Sequence, residues 1–374
     1  MSLQGVVMTF GNFENVNFDM KIITEISEIN QQQWNTLLKE SRTRSFFQTR
    51  ECYDLYAANP EFMRPFCLAI KDERTLKGVI IGYIQADGGA AKRYLSRRAI
   101  INSGPLLADD ISDEALSMLL TECRKRLQGK AIYVECRNFE DYSAYKDVFK
   151  QCGFDYVPHL NFHIDTTSEE VVNQNLGKSR KRDIKTSFRD GAEIVEHPKK
   201  NEVRDFYTIL NDLYNNKVKT PLYPLSFFEH LYQQEYSKFL LVRLNGKIVG
   251  GTVCVCLPGY AVYEWFACGE DGVHKNIYPS TLATYAGIRY AAQNGCQHFD
   301  MMGAGKPDEG YGVRDFKAKF GGQLVEHGRF VHVLNPALYG VGKIGVKVMK
   351  GELTNELGGG IFAPSQFPQT AMAA

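Results

Sequence analysis

The chain has 374 residues, an apolar content of 44% and a formal net charge of +1. This length predicts about two domains, each large enough to bury its own core. The near-neutral charge excludes a protein that recruits nucleic acid or anionic membrane through a general basic surface, so any anion must be bound by a local cluster. Residues 1–19 lack the basic and apolar regions of a signal peptide. They are interpreted as an N-terminal arm, either a loose segment or in part a cloning remnant.

Two series of predicted elements follow one another along the chain. The first unit, residues 20–160, has the apolar periodicity of a helix at 28–40, strands at 66–72, 76–86 and 99–106, a helix at 113–128 and a strand at 131–137. The second unit, residues 161–342, repeats this order with helices at 202–216 and 225–234, strands at 238–257 and 260–269, a helix at 280–295 and a strand at 298–303. Helices alternating with buried strands predict a mixed α/β layer architecture.

The remaining segments complete the organisation of the chain. Residues 343–374 form a C-terminal tail, for which a short helix packed on the body is favoured over contact with a membrane surface. The nine cysteines are widely spread and have no paired C-x-x-C spacing. They are interpreted as buried free thiols in a reducing cytoplasm.

The run at residues 248–269 is long and nearly uncharged, so a transmembrane helix must be considered. Pro258 and Gly259 divide it, and β-branched and aromatic residues dominate, so two buried strands joined by a turn are predicted in place of a transmembrane helix. Glu264 interrupts this run. A buried carboxylate must be paired or have a shifted pKa; the alternative is that Glu264 points to solvent.

The segment KSRKRDIK, residues 178–185, is the clearest basic cluster in the sequence. In a helix, Lys178, Lys181, Arg182 and Lys185 occupy positions i, i+3, i+4 and i+7 and share one face. We call this set the basic stripe. It suits a polyphosphate, a nucleotide-linked sugar or an RNA backbone, and the alternative of a solvated helix face has equal weight. Duplex DNA is not expected, because no recognised nucleic-acid motif is present.

Seven segments occur in an order that points to a known family: FFQTRECYD (46–54), SGPLL (103–107), GFDYVPHLNFHID (153–165), LGKSRKRDIKTSFRDGAEI (176–194), KTPLYPLSFFEHL (219–231), YPSTLATYAGIRYAAQNGCQHFDMMGAG (278–305) and YGVRDFKAKFGG (311–322). Together they resemble the Fem family of non-ribosomal peptidyltransferases and their relatives. The resemblance implies two tandem GNAT-like domains of the acyl-CoA N-acyltransferase fold. It also implies transfer of an aminoacyl or acyl group onto an amine of a cell-envelope precursor that carries phosphate, as in peptidoglycan biosynthesis.

The same resemblance places a Phe-Lys pair, here Phe316 and Lys317, at the transfer site. Attack of an amine on an ester or thioester builds negative charge on the carbonyl oxygen, which a fixed cation such as Lys317 stabilises. The neighbouring Tyr311 and Arg314 are assigned with Phe316 and the basic stripe to substrate binding. The alternative is that Lys317 is a surface lysine in a basic turn, beside Arg314 and Lys319.

The acceptor amine must lose a proton, and Asp300 at a predicted strand end is the candidate base. Its alternative role is to cap the turn that follows. His298 and Tyr311 are further candidates. The glycine-containing loop at 303–312 could wrap a phosphate or peptide, or be only a surface loop. The spacing of the eight histidines does not predict a metal site.

The donor stays open between aminoacyl-tRNA and acyl-CoA, and no permanently bound cofactor is expected. Where CoA-binding GNAT domains have a Q/R-x-x-G-x-G/A loop, this chain has HKNIYP at 274–279, and no long helical insertion of the kind that grips tRNA occurs between residues 202 and 234. Two further hypotheses remain: an acyl-CoA-dependent N-acetyltransferase acting on a sugar or lipid intermediate, and a binding protein that kept the fold without catalysis. A peripheral membrane contact is also left open.

Overall fold

The structure is a computed structural model that describes residues 20–86 and 90–349. The predicted N-terminal arm and residues 350–374 of the predicted tail lie outside these ranges. The strands are β1 (Lys21–Ile23), β2 (Arg64–Lys71), β3 (Leu76–Gln85), β4 (Arg98–Asn102), β5 (Leu106–Leu107), β6 (Tyr133–Arg137), β7 (Asp155–Val157), β8 (Leu160–Asp165), β9 (Ala192–Val195), β10 (Ser237–Leu244), β11 (Lys247–Leu257), β12 (Ala261–Gly269), β13 (His298–Asp300), β14 (Gln323–Glu326) and β15 (Arg329–Val333).

Helices connect and cover these strands. In chain order they are α1 (Gln31–Glu40), α2 (Arg50–Ala57), α3 (Ala90–Ser96), α4 (Asp113–Leu127), α5 (Lys146–Gln151), α6 (Glu169–Asn175), α7 (Lys178–Arg189), α8 (Lys200–Leu213), α9 (Leu225–Tyr232), α10 (Pro279–Gln293), α11 (Gly312–Ala318) and α12 (Pro336–Met349).

The described chain contains two mixed β-sheets, and in each sheet a helix connects one pair of parallel strands. The first has the strand order β1-β2-β3-β4-β6-β15-β7, with β5 paired to β3, and the second has the order β14-β8-β13-β12-β11-β10-β9. In the first sheet α4 crosses over between the parallel strands β4 and β6, and in the second α10 crosses over between the parallel strands β12 and β13. The mixed α/β architecture with an internal repeat is thereby confirmed.

The apolar run at residues 248–269 forms an antiparallel hairpin, as predicted. Strands β11 and β12 pair from Leu257 opposite Ala261 to Gly250 opposite Gly269, and Gly259 in the turn has a positive φ of 70°. Both strands are buried because α10 covers one face and the aromatic core the other. Across residues 20–86 and 90–349, the helices are too short or too polar to span a bilayer.

The C-terminal strand of the described chain returns to the first sheet. Strand β14 pairs with β8 in the second sheet, whereas β15 inserts between β6 and β7 in the first. Gly328 makes this crossing possible, because its φ is +65° and a Cβ there would lie 2.3 Å from the Tyr156 ring. Residues 329–333 of the predicted second unit thus pair within the first sheet. The bounds of the two units, 20–160 and 161–342, stay predictions.

The cores of the two units are continuous across their interface. Phe47 from the first unit packs edge-on against Tyr263 and Trp265 of β12, with ring centroids 5.4 and 5.3 Å apart. All nine cysteines are buried and free, as predicted. The interface is thus built like a protein interior, and the sites below lie within or beside it.

Candidate functional site

The basic stripe lies on α7, as predicted, and is exposed to solvent. Lys178, Lys181, Arg182 and Lys185 all lie on the outer face of the helix. Arg182 contacts Asp183, with 3.0 Å between guanidinium Nη2 and carboxylate Oδ1. The stripe is available to an anionic partner, and its role in binding stays a prediction.

The burial of Arg180, the remaining basic residue of the segment 178–185, was not predicted. Its side chain packs against α11. Its guanidinium lies 4.2 Å from the centroid of the Phe316 ring, donates to the Phe316 carbonyl at 3.3 Å and contacts Asp183 at 3.5 Å. Phe316 therefore joins α11 to α7. This contact gives Phe316 a positioning role, and its direct contact with substrate stays a prediction.

Arg314 and Tyr311 hold the glycine-containing loop at 303–312. Arg314 Nε donates to the Ala304 carbonyl at 2.8 Å, and its Nη2 donates to the Lys306 carbonyl. A Cβ on Gly305 would meet the Tyr311 ring at 2.9 Å, so the ring lies directly on the loop backbone. The structure gives both side chains a role in shaping the loop, and their roles in substrate binding stay predictions.

Asp300 lies at the end of β13, where the second sheet opens. The pairing of β12 with β13 stops at Tyr263 opposite Asp300, whereas β12 continues to Gly269. Asp300 Oδ1 accepts hydrogen bonds from Asn161 Nδ2 at 2.8 Å and from the Met302 amide at 2.6 Å. It therefore caps the turn, the alternative that the sequence had left open, and supports the positive φ of 52° at Met302.

The environment of Asp300 also bears on its proposed role as a base. Burial alone would raise the pKa of this carboxyl, but the His163 imidazole and the Asn161 amide hold it below its ordinary value. A carboxylate with a lowered pKa is a weak base. The general-base role stays a prediction, and the geometry favours a role for Asp300 as an anion that organises its neighbours.

Lys317 is fully buried beneath this turn. Its Nζ donates to the Gly303 carbonyl at 2.7 Å and to the Met301 carbonyl, and the negative charges of Glu264 and Asp300 lie nearby. Burial lowers the pKa of Lys317, and the two carboxylates oppose this effect. Lys317 thus fills the opening between β12 and the chain that leaves β13. Its action on a substrate oxyanion stays a prediction.

Glu264 points inward, so the alternative of a solvent-facing carboxylate is wrong. The side chain is 0% exposed, and Thr284 of α10 donates to its Oε1 at 2.8 Å. The strands slip by one residue between Val253 and Cys254, opposite this position. Burial raises the pKa of Glu264 and the Lys317 charge opposes the rise.

A group of histidines surrounds Asp300 on the face of the second sheet that meets the first unit. The His163 ring lies 4.8 Å from that of His298 and 5.3 Å from that of His327. Burial lowers the pKa of His298 to about 4. Glu140, from the first unit, accepts a hydrogen bond from Tyr260 at 2.8 Å, and burial raises the pKa of Glu140 to about 7.

A cavity lies between the first sheet and the second unit, and we call it the interdomain cavity. It has a volume of about 60 Å³ and is partly open to solvent. It is lined by Tyr83, Gln85, Arg98, Ile100, Asn102, Arg137, Tyr214, Thr220, Pro221, Leu222, Tyr223, Trp265 and Phe266. Arg98 and Arg137 contribute guanidinium groups to this lining, and such groups suit an anion.

Glu135 reduces this charge only in part. It lies behind the lining, accepts from Arg137 Nε at 3.1 Å and pairs with Arg329 Nη1 at 2.6 Å. One carboxylate against the two guanidiniums of Arg137 and Arg329 leaves a net positive group. Arg137 also lines a second, smaller cavity, of about 10 Å³, together with His159, Asn161 and Gly303. It therefore connects the interdomain cavity to the turn that follows Asp300.

The N-terminus of α10 carries a carboxylate of its own. Asp271 Oδ1 accepts a hydrogen bond from the Ser280 amide at 3.2 Å, and Pro279 is the first residue of the helix. A Cβ on Gly269 would lie 2.5 Å from the same amide, so β12 also closes against this helix end. The Ser280 amide is therefore bonded within the protein, and a carboxylate lies where a phosphate would bind at this N-terminus.

Comparisons with known proteins agree with this architecture. Residues 178–317 match the family described as "Acetyltransferase (GNAT) domain". The solved structure of FemX is similar over 86% of this chain and 99% of its own, with a TM-score of 0.65 and 13% identity. A search of curated proteins by sequence found no match.

Two further solved structures share the fold. The C-terminal domain of a putative lysylphosphatidylglycerol synthetase from Agrobacterium fabrum has a TM-score of 0.50 and 15% identity, over 75% of this chain and 88% of that one. L-PGS from Bacillus licheniformis has a TM-score of 0.51 and 11% identity, over 84% of this chain and 96% of that one. These similarities show a GNAT-type fold, which the resemblance to the Fem family implied.

Proposed function

We propose that the chain is an acyltransferase that moves an aminoacyl group onto an amine of a phosphate-carrying cell-envelope precursor. The GNAT domain match and the FemX-like fold support acyl transfer. The names of the two lysylphosphatidylglycerol synthetase structures support an aminoacyl donor and an envelope acceptor. Nine free cysteines fit action on the cytoplasmic side, in a reducing compartment.

The observation that carries the choice of donor is the occupied N-terminus of α10. Acyl-CoA carries a pyrophosphate, which helix N-termini bind through free amides and the helix dipole. Here Asp271 takes the Ser280 amide and places a carboxyl at this position. The crossover helix of the first unit, α4, likewise has its N-terminus capped by Ser112 and carries Asp113 and Glu114 in its first turn. These residues do not fit CoA, which favours an aminoacyl ester.

The interdomain cavity supports an anionic acceptor. Arg98 and Arg137 are 4% and 7% exposed, and guanidinium groups bind phosphate in a bidentate manner. Tyr83 and Tyr223, whose hydroxyls lie 3.0 Å apart in the same wall, add hydroxyl groups for a sugar or phosphate oxygen. In this proposal the cavity holds the phosphate of the acceptor, and the basic stripe on α7 contacts the RNA backbone of the donor.

The reaction itself is an exchange of an ester for an amide. The acceptor amine attacks the ester carbonyl, the bond to the ester oxygen breaks, the amine loses a proton, and the hydroxyl of the donor is released with a proton. Lys317 would stabilise the negative charge that develops on the carbonyl oxygen, either directly or through the turn that it holds. Asp300 would keep that turn in place.

The test is transfer of radiolabel from a pool of charged tRNA to envelope precursors, with Arg98→Gln as the variant and Arg97→Gln as the control. Arg97 is the adjacent arginine, and it lies outside the cavity, stacked on Tyr94 at 4.3 Å. Losing one charge-assisted contact is expected to raise the KM for the acceptor about 10- to 100-fold. The Arg97→Gln variant should transfer label as the wild type does.

Other outcomes would select the alternatives. Transfer from acyl-CoA with saturable CoA binding would contradict the aminoacyl proposal and favour an N-acyltransferase acting on a sugar or lipid. Retention of precursor binding with no transfer from either donor would favour a binding protein on the same fold.

A further inference from the structure

Three side chains with metal-binding chemistry meet on one face of the second sheet. His163 on β8 lies opposite Asp300 on β13 in the antiparallel register, and His298 precedes Asp300 by two residues, which places it on the same face. The ligand atoms of the three side chains lie within 4.8 Å of one another. His163 Nε2 and Asp300 Oδ2 are 3.2 Å apart.

Two of the atoms in this group make no hydrogen bond that meets ordinary geometry. Asp300 Oδ2 and His298 Nε2 are buried and have no such partner among the described residues. His163 Nε2 lies 3.2 Å from Asp300 Oδ2, as in an ion pair, and 3.5 Å from Asn161 Nδ2. Buried polar atoms without a partner are rare, and each requires an explanation such as a bound ion.

For Asp300 and His163, the atoms that face away from the centre are, in contrast, held by hydrogen bonds. Asp300 Oδ1 accepts from Asn161 Nδ2 and from the Met302 amide, at 2.8 and 2.6 Å. The Phe139 carbonyl is a hydrogen-bond partner of the His163 ring, and because Nε2 faces Asp300, this partner falls to Nδ1. Outer hydrogen bonds of this kind, to the second nitrogen of a histidine and the second oxygen of a carboxylate, orient the ligands of metal sites.

We propose that His163, His298 and Asp300 bind a divalent transition-metal ion of the Zn²⁺ class. Two imidazoles and one carboxylate suit such an ion, whereas Mg²⁺ and Ca²⁺ prefer a set of oxygen ligands. Three protein ligands leave one position of a tetrahedral ion for water or a ligand oxygen. The proposal is independent of the proposed transfer reaction.

The site must close to hold an ion. Two ligands of a tetrahedral ion with bonds of about 2.1 Å are about 3.4 Å apart, so a pair of ligand atoms 4.8 Å apart must approach by roughly 1.4 Å. A rotation of the His298 ring can supply this movement, because His298 Nε2 makes no hydrogen bond to the protein that would have to break. His163 is 17% exposed, which leaves a path for the ion from the solvent side.

The experiment measures metal content and affinity in the full chain, free of any added histidine tag. The protein is dialysed against Zn²⁺, its metal content is measured by mass spectrometry, and Co²⁺ is titrated while visible absorption is followed. We expect about one ion per chain and Co²⁺ bands of a four-coordinate site. His298→Gln should weaken binding by more than tenfold. The control His197→Gln, an exposed histidine on the surface after β9, should not change it.

Two results would overturn the proposal: absence of stoichiometric Zn²⁺ and Co²⁺ binding in the wild type, or equal affinity in the wild type and in both His298→Gln and Asp300→Asn. Asp300→Asn keeps an oxygen for the Met302 amide, so it tests the ligand without removing the cap. Circular dichroism of each variant checks the fold. Because the assay contains no acyl donor, its failure is separate from failure of the proposed transfer reaction.

Discussion

Glu135 in the first sheet and Glu264 in the second are both buried carboxylates on strands, but their pKa values are shifted in opposite directions. Glu135 is 1% exposed and lies between two guanidiniums. Burial alone would raise its pKa, but Arg137 and Arg329 outweigh burial and hold the pKa at about 2. Glu264 is 0% exposed, its nearby cation is Lys317, and burial raises its pKa.

The number and geometry of the cations explain the difference. Two guanidiniums each donate a hydrogen bond to Glu135, whereas the Lys317 ammonium donates to the carbonyls of Met301 and Gly303. A charge that is already bound elsewhere stabilises a carboxylate less than a direct ion pair does. The first site is therefore a permanent ion triad, and the second can gain or lose a proton near neutral pH, as reacting centres require.

The largest expected effect comes from breaking the triad. Glu135→Gln leaves two buried guanidiniums without their anion, and removing one partner of a buried pair costs about 3 to 5 kcal/mol of unfolding free energy. Urea denaturation followed by circular dichroism measures this loss. Glu122→Gln is the control, since Glu122 forms a surface pair with Arg126 and should cost less than about 1 kcal/mol. Equal losses in both variants would contradict the comparison.

Lys317→Met is expected to have the second-largest effect on stability. It removes the donor to two carbonyls and the cation beside Glu264, but Glu264 can take up a proton in response. We expect a loss of about 2 to 3 kcal/mol, smaller than for Glu135→Gln. Combining it with Glu264→Gln should recover part of the loss, because the two charges interact. If the double variant loses the sum of both single losses, the interaction between them is absent.

Glu264→Gln alone should be milder. The amide oxygen can still accept from Thr284, and a group that is readily protonated is closer to a neutral amide than Glu135 is. The expected cost is about 1 kcal/mol. A cost as large as that of Glu135→Gln, measured in the same urea titration, would show that Glu264 is a permanently ionised carboxylate.

The dependence of stability on pH tests the ionisation of Glu135 directly, and its effect is confined to acidic pH. The pKa of Glu135 is lowered from 4.5 to about 2 in the folded protein. Its contribution to stability is therefore present above pH 4.5 and is lost as the pH falls toward 2. Between pH 6 and 9 this group should change nothing. Urea midpoints measured from pH 3 to 6 should fall more steeply for the wild type than for Glu135→Gln.

Much of the fold could be predicted because it depends on local signals. The division at Pro258 and Gly259 defined the hairpin of β11 and β12, and apolar periodicity located α4 and α10. The insertion of β15 into the first sheet could not be predicted. The pairing of residue 329 with residue 137 depends on how the sheet packs and not on the sequence near either residue.

The site was predicted less completely for the same reason. Lys317 and Asp300 were found from a family resemblance and a strand end, and the structure brings them near one another. His163 and Arg98 were missed, because each acquires its neighbours through strand register between distant segments. Asp271 was missed for the same reason, because it lies nine residues before Ser280 in sequence and not at the capping position next to the helix.

The pairing of residues 329–333 with the first sheet determines when that sheet can finish folding during synthesis of the protein. Nascent chains commonly fold their N-terminal domain first, while the rest is still being translated. Here the first sheet has a gap between β6 and β7 until Val333 has left the ribosome, and until then Glu135 also lacks Arg329. The first unit therefore cannot complete its fold early. The last described strand to be made closes the sheet that was begun first.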